Sequence, residues 1–215
     1  MERTMKKLIK LTKYDLLTAF LCLLAIIPGL LVYNKLPEQV PRHFDINGNP
    51  DGYSGRLMVV VGLPLLVTFL HLIGCIIMNH DKRQDNAGKL KELVRLVTPT
   101  ILYVVQAFVL LYSLDRVDNI VTWTALLCAV LLIAIGNYLP KAKPNGSIGI
   151  RTPATMSSEV VWRKAHRFGG KVSVIIGMLM IPCAVMELLV PVIILFALFV
   201  LIPVIYAETC SDKES

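Results

Sequence analysis

Long apolar runs separated by short polar connections set the rhythm of this chain. Leu16 to Tyr33, Leu57 to Met78, Leu96 to Leu114 and Ile120 to Leu139 each come close to the roughly 20 residues that a helix needs to cross a bilayer. Val172 to Tyr206 is apolar except for Glu187 and is too long for one crossing. Dividing it at Glu187 to Pro191 gives Val172 to Met186 and Leu188 to Tyr206. The pattern predicts an all-α integral membrane protein with six transmembrane helices. Pro99 is expected in the first turn of the third span, where proline is tolerated.

Charge placement then orients the spans. Of the 22 Lys and Arg residues, four fall in alternate connections, namely Lys35, Arg42, Arg56 and Arg116, and eighteen in the others. Basic residues accumulate on the cytoplasmic side, so both termini are expected inside (N-in/C-in). This leaves a 23-residue external loop, 34–56, and a cytoplasmic loop, 140–171. Only 17% of the residues are charged, below the quarter or so typical of soluble domains. That shortfall fits lipid as the outer solvent. The basic stretch Met1 to Lys13 is followed by an apolar run longer than a signal-peptide core and without a small-x-small cleavage site, so an uncleaved anchor is expected. Four of the five cysteines lie inside apolar runs and none lies in an external segment, which argues against a structural disulfide.

In the external loop, Asn47-Gly48 and Asp51-Gly52 are turn dipeptides. Val40 to Ile46 suits a short strand, so a small hairpin or compact loop is expected. Asp45, Asn47, Asn49 and Asp51 alternate like the oxygen ligands of a calcium loop. Pro50 stands where such a loop needs glycine, however, and Arg56 where it needs its bidentate Glu. A plain turn is the preferred reading, with no metal.

In the cytoplasmic loop, Asn145-Gly146 marks a turn and Thr152-Pro153 an extended bend. Ser157 or Ser158 can cap a helix that is expected to run to Phe168 and to stop at Gly169-Gly170. Trp162, Ala165, His166 and Gly169 share one face of it. The expected element is an internal amphipathic helix lying in the interface, aromatic side toward the acyl boundary and bases toward phosphates. Within the spans, His71, Glu187 and the neutral Gln106 are the polar residues of note. The pair Ser173 and Gly177 permits close helix packing. No nucleophile motif, His-Glu-x-x-His or phosphate-binding glycine loop is present, so no enzyme is expected.

The cytoplasmic loop also carries an ordered pattern: Gly136-Asn137-Tyr138-Leu139, Lys143-Pro144-Asn145, Ile148-Gly149-Ile150-Arg151-Thr152-Pro153, Ser157 to Arg163, and His166-Arg167-Phe168-Gly169-Gly170-Lys171. This resembles the SdpI family of bacterial immunity proteins. Leu36-Pro37, Val40-Pro41, His43-Phe44-Asp45, Gly48 and Asp51-Gly52 look like the small domain of unknown function that often precedes it. One departure is Ala154, where the family often carries Trp. The resemblance implies an N-terminal two-span unit, 1–95, and a four-span SdpI-like module, 96–215, in the bacterial cell membrane. It implies resistance to a secreted toxic peptide, with no cofactor. It also implies a receptor role in which the cytoplasmic face captures an autorepressor, so that nucleic acid is not touched directly. The toxin-facing residues are then expected to be His43, Phe44, Asp45 and Asp51. The partner-facing residues are expected to be Arg151, Trp162, Arg163, His166 and Arg167. The competing reading is a small transporter or exporter of an amphipathic molecule, and a third is a membrane enzyme acting on lipid or peptidoglycan precursors.

Overall fold

A computed structural model of the chain describes residues 11–45, 47–80 and 89–211. The described residues contain six helices long and apolar enough to cross a membrane: Lys13–Lys35, Met58–His80, Lys89–Ser113, Ile120–Lys141, Glu159–Val185 and Leu189–Cys210. Large apolar side chains along them are open to the surroundings, Leu31 at 79% and Ile77 at 66% among them. That surface is stable only against lipid.

The first span consists of α1 (Lys13–Leu24) and α2 (Ile26–Val32), joined at Ala25. Pro28 causes the break. It has no N–H for the Leu24 carbonyl, and its ring crowds the preceding turn. A similar irregularity precedes α3 (Leu63–His80), where Met58–Gly62 forms a π-turn. Pro64 cannot donate to the Val59 carbonyl. The buried Gln106 side chain donates to it instead, at 3.3 Å. Next come α4 (Lys89–Ser113), α5 (Ile120–Tyr138), the short α6 (Pro153–Ser157), α7 (Glu159–Val185) and α8 (Leu189–Ser211). The external segment forms an antiparallel hairpin of β1 (Gln39–Phe44) and β2 (Pro50–Gly55), with register shifts around His43.

Two short connections use one device. After α4, Asp115 takes φ +55°. Its N–H donates to the Tyr112 carbonyl, and the Arg116 N–H donates to Leu111. After α7, Glu187 takes φ +58°, its N–H donates to Ala184, and the Leu188 N–H donates to Cys183 at 2.8 Å. These are Schellman closures, which give the last helical carbonyls partners. The left-handed position usually holds glycine, and here an acidic residue takes it in both turns. The split of the last apolar stretch at Glu187 is therefore present.

Two compact units emerge. One takes the chain up to Ile77 together with Arg95–Thr124; the other takes Met78–Val94 and everything from Ala125. These boundaries differ from a division at 95/96, because the third span packs with the first two: Leu102 meets Cys22 and Ala25, and Val109 and Leu110 meet Val59 and Val60. In the second unit, Ala125, Ala129, Leu132, Ile176, Met180 and Ala184 form the core.

Two expectations are corrected. Pro99 lies inside α4, which begins at Lys89 rather than Leu96. And no separate interfacial helix ends at Gly169-Gly170: α7 runs unbroken from Glu159 to Val185. Both glycines stay helical because they serve packing. A Cβ on Gly170 would sit 2.7 Å from the Gly136 carbonyl oxygen, and one on Gly136 would sit 2.8 Å from that of Gly170. Further along, Ser173 donates to the Leu132 carbonyl at 2.8 Å, and a Cβ on Gly177 would meet the Ala129 carbonyl at 2.7 Å. Small residues thus let α5 and α7 touch backbone to backbone. Gly170→Ala should force these helices apart at a cost of about 1–3 kcal/mol, read as a lower melting temperature in detergent; an unchanged midpoint would refute the backbone contact.

Candidate functional site

The hairpin is seated through its apolar side. Leu36 and Val40 are buried with Val59, Val60, Val109 and Leu110. Phe44 packs edge-on against Phe108 and Tyr112, with centroids 6.1 and 5.1 Å away. Asp45 shapes the turn: its carboxylate accepts from the Asn47 and Asn49 N–H groups, each at 2.8 Å. The Asn49 N–H, first of these, holds the Asp45 carboxyl below its ordinary value. A depressed value means the contribution to the turn is fully present above the ordinary carboxylate range and is lost as pH falls through the depressed value. His43 and Asp51 pair through Nδ1 and Oδ1 and stay 73% and 47% exposed. Of the four hairpin candidates, Phe44 and Asp45 build the loop, and His43 with Asp51 forms its free polar face. Among the described residues, no group of three or more His, Cys, Asp and Glu is arranged to hold a metal ion.

Within the same unit lies a buried polar cluster, of which hydropathy singles out His71 alone. Arg95 Nε sits 2.6 Å from Asp15 Oδ1, with the two side chains 3% and 0% exposed. Asp15 also completes a capping box with Thr12, accepting from its N–H at 2.7 Å. Beside them the Thr18 hydroxyl meets His71 Nε2 at 2.9 Å, and the Cys75 thiol meets the same nitrogen at 3.5 Å. Span limits drawn from hydropathy put Asp15 and Arg95 just outside the membrane. The helices instead start at Lys13 and Lys89 and carry both residues inward. No basic residue stands three or four positions from Asp15 along the helix, so nothing local signals a partner; Arg95 lies 80 positions further along the chain (95 − 15), and only packing reveals the pairing.

In the second unit, the segment between α5 and α7 is locked onto α7. Trp162 and His166 are fully buried and stacked, with centroids 3.9 Å apart. Trp162 Nε1 donates to the Ala142 carbonyl at 2.8 Å. His166 Nδ1 faces the Trp162 carbonyl at 2.9 Å, and its Nε2 accepts from the Ile150 N–H at 3.1 Å. This makes Nδ1 the protonated nitrogen of a neutral ring. Gly149, at φ +124°, passes so close that a Cβ there would strike the imidazole. Asn145 closes the turn by accepting from Ser147 and Ile148. Thr152 and Thr155 form a capping box on α6, and Ser158 caps α7 through the Val161 N–H. The motif residues are thus a clamp for the segment 142–152.

This revises the inner candidates. The face shared by Trp162, Ala165, His166 and Gly169 is real, but it points into the protein rather than toward lipid or a partner. Arg163 and Arg167 project from the opposite face, Arg163 bridging Glu159 at 2.9 Å. Arg151 is exposed on the rim of a different cleft, lined by Ile148, Ile150, Phe199 and Pro203. The structure therefore gathers Arg163 and Arg167 on one surface and leaves Arg151 apart from them.

The clamp lies at the start of the segment that decides the family resemblance. Residues 141–207 match the SdpI/YfhL protein family. Ahead of this SdpI-like segment, residues 20–68 match a domain of unknown function (DUF1648), which takes in the hairpin. The chain is 27% identical to the Immunity protein SdpI of Bacillus subtilis (strain 168), over 77% of its own length and 78% of that protein. No solved structure matches. With its six apolar helices and this similarity, the chain is a multi-pass protein of the cell membrane.

Two measurements check these clusters. His166→Phe should leave the Ile150 N–H without its acceptor, costing about 1–3 kcal/mol and making the segment 142–152 cleavable by protease; equal melting and equal cleavage would refute the clamp. Arg95→Gln should destabilise by about 3–5 kcal/mol, since a buried carboxylate loses its partner. Adding Asp15→Asn should recover part of that loss, and a simple sum of the two single effects would count against the pair.

Proposed function

We propose that this chain is a membrane immunity protein that makes its cell resistant to a secreted killing peptide. The observation that carries the reading is the similarity to an immunity protein along most of both chains, beside the match of the clamped segment to the SdpI/YfhL family. The reading places the hairpin outside and both termini in the cytoplasm, as the distribution of Lys and Arg favours. The peptide then meets the exposed His43–Asp51 face, with Phe44 and Asp45 holding that face in shape.

The inner half of the proposal is signalling. A peptide bound outside changes an inner surface only if it prefers one of two arrangements of the helices. The exposed bases, Arg163 and Arg167 on one surface and Arg151 apart from them, are what is offered to a cytoplasmic repressor, while Trp162 and His166 keep the segment that carries Arg151 rigid. No step of this reading requires catalysis or a cofactor.

Expression of the full chain in a bacterium sensitive to secreted killing peptides should raise survival under challenge. His43→Ala/Asp51→Ala should lower that protection at unchanged membrane abundance. Unaltered killing across the peptides tried, with the protein confirmed in the membrane, would count against resistance. Reporter tags at the two ends should be accessible only from the cytoplasm, and opposite placement would overturn the sidedness.

A further inference from the structure

Between α7 and the end of α8 lies a groove of about 450 Å³ whose lining includes the Arg163 and Arg167 offered above to a repressor, and to which resistance itself assigns no role. One wall carries Arg163, Lys164, Arg167 and Lys171, and Phe168 and Tyr206 form its aromatic floor, stacked with centroids 4.1 Å apart. The bases recur at helical spacing, so their charges converge on one side of α7. Glu159 offsets part of this through its bridge to Arg163, and among the described residues no carboxylate lines the groove itself. Four cations converging on one groove suit a phosphate.

The surroundings indicate where that phosphate comes from. One turn beyond Lys171, α7 presents Ile175, 52% exposed, and α8 presents Leu201 and Ile205, 53% and 60% exposed. The basic groove thus gives way along both helices to apolar surface that has only lipid to face. Bases at a span end beside aromatic rings, with apolar rows leading away, match a headgroup above its acyl chains. A soluble acidic partner would fit the charges but would leave the apolar continuation unused.

We propose that this groove binds the phosphate of an anionic glycerophospholipid, whose acyl chains lie along α7 and α8. The site goes beyond the resistance reading, and resistance and lipid retention can be measured separately. Bound lipid would hold the clamped half of the protein at a fixed depth in the membrane, because α7 carries both the groove and the Trp162–His166 clamp.

The experiment uses the full chain reconstituted in phosphatidylcholine with or without phosphatidylglycerol, extracted mildly, and weighed by native mass spectrometry for retained lipid. The wild type should keep phosphatidylglycerol in preference to phosphatidylcholine. Lys164→Gln/Arg167→Gln/Lys171→Gln should lower that retention on the order of a hundred-fold, at about a kcal/mol for each base, while Lys164→Arg/Lys171→Arg keeps it. All three positions have exposed side chains, so melting and elution should stay at the wild-type values. Equal retention by the triple variant would overturn the proposal. Two competition arms on the wild type hold whether or not any variant folds. Inorganic phosphate displacing the lipid as well as short-chain phosphatidylglycerol does would assign the site to free phosphate. An acidic peptide binding there more tightly than the lipid would assign it to a soluble partner. Either result refutes the lipid site.

Discussion

A polar group carried into hydrocarbon must find its partner within the protein, because no water is there to replace it. Most of what is particular in this structure answers that demand. Pro64 leaves the Val59 carbonyl without its helical donor, and Gln106 from another helix supplies one. Ser173 turns its hydroxyl to the Leu132 carbonyl. Asp15 and Arg95 enter the buried interior together. The two tight returns, at Asp115 and Glu187, close the last carbonyls of their helices with backbone donors.

Packing against α7 makes a related demand on the segment 142–152. It has little regular structure of its own, and its backbone groups need partners drawn from elsewhere. Trp162 gives a donor to Ala142, His166 an acceptor to Ile150, and Asn145 an acceptor to two successive N–H groups. Each of these side chains is itself buried. A segment of this kind presents a fixed outer surface, with Arg151 on it, rather than an adaptable loop.

The chain divides its labour by face. On α7, one side carries the clamp and the glycine contacts, and the other carries the bases. On the hairpin, Val40 and Phe44 anchor while His43 and Asp51 remain open. In both places a motif that reads as one string is two sets of residues, one packed inside and one left exposed.

The sequence by itself determined the six apolar spans, the division at Glu187, the Asn47-Gly48 turn of the external loop, a helix cap at Ser157 or Ser158 and the small-residue contact at Ser173 and Gly177. Each of these rests on local periodicity, on turn chemistry or on side-chain size. The structure chose the hairpin and Ser158. Only the tertiary structure decided which way the Trp162–His166 face points, that α7 passes through Gly169-Gly170, and that Asp15 meets Arg95. Helical spacing shows that residues share a face but not what lies against it, and glycine ends a helix or admits a neighbour according to what packs there. A pairing between distant helices leaves no trace in the spacing of either one.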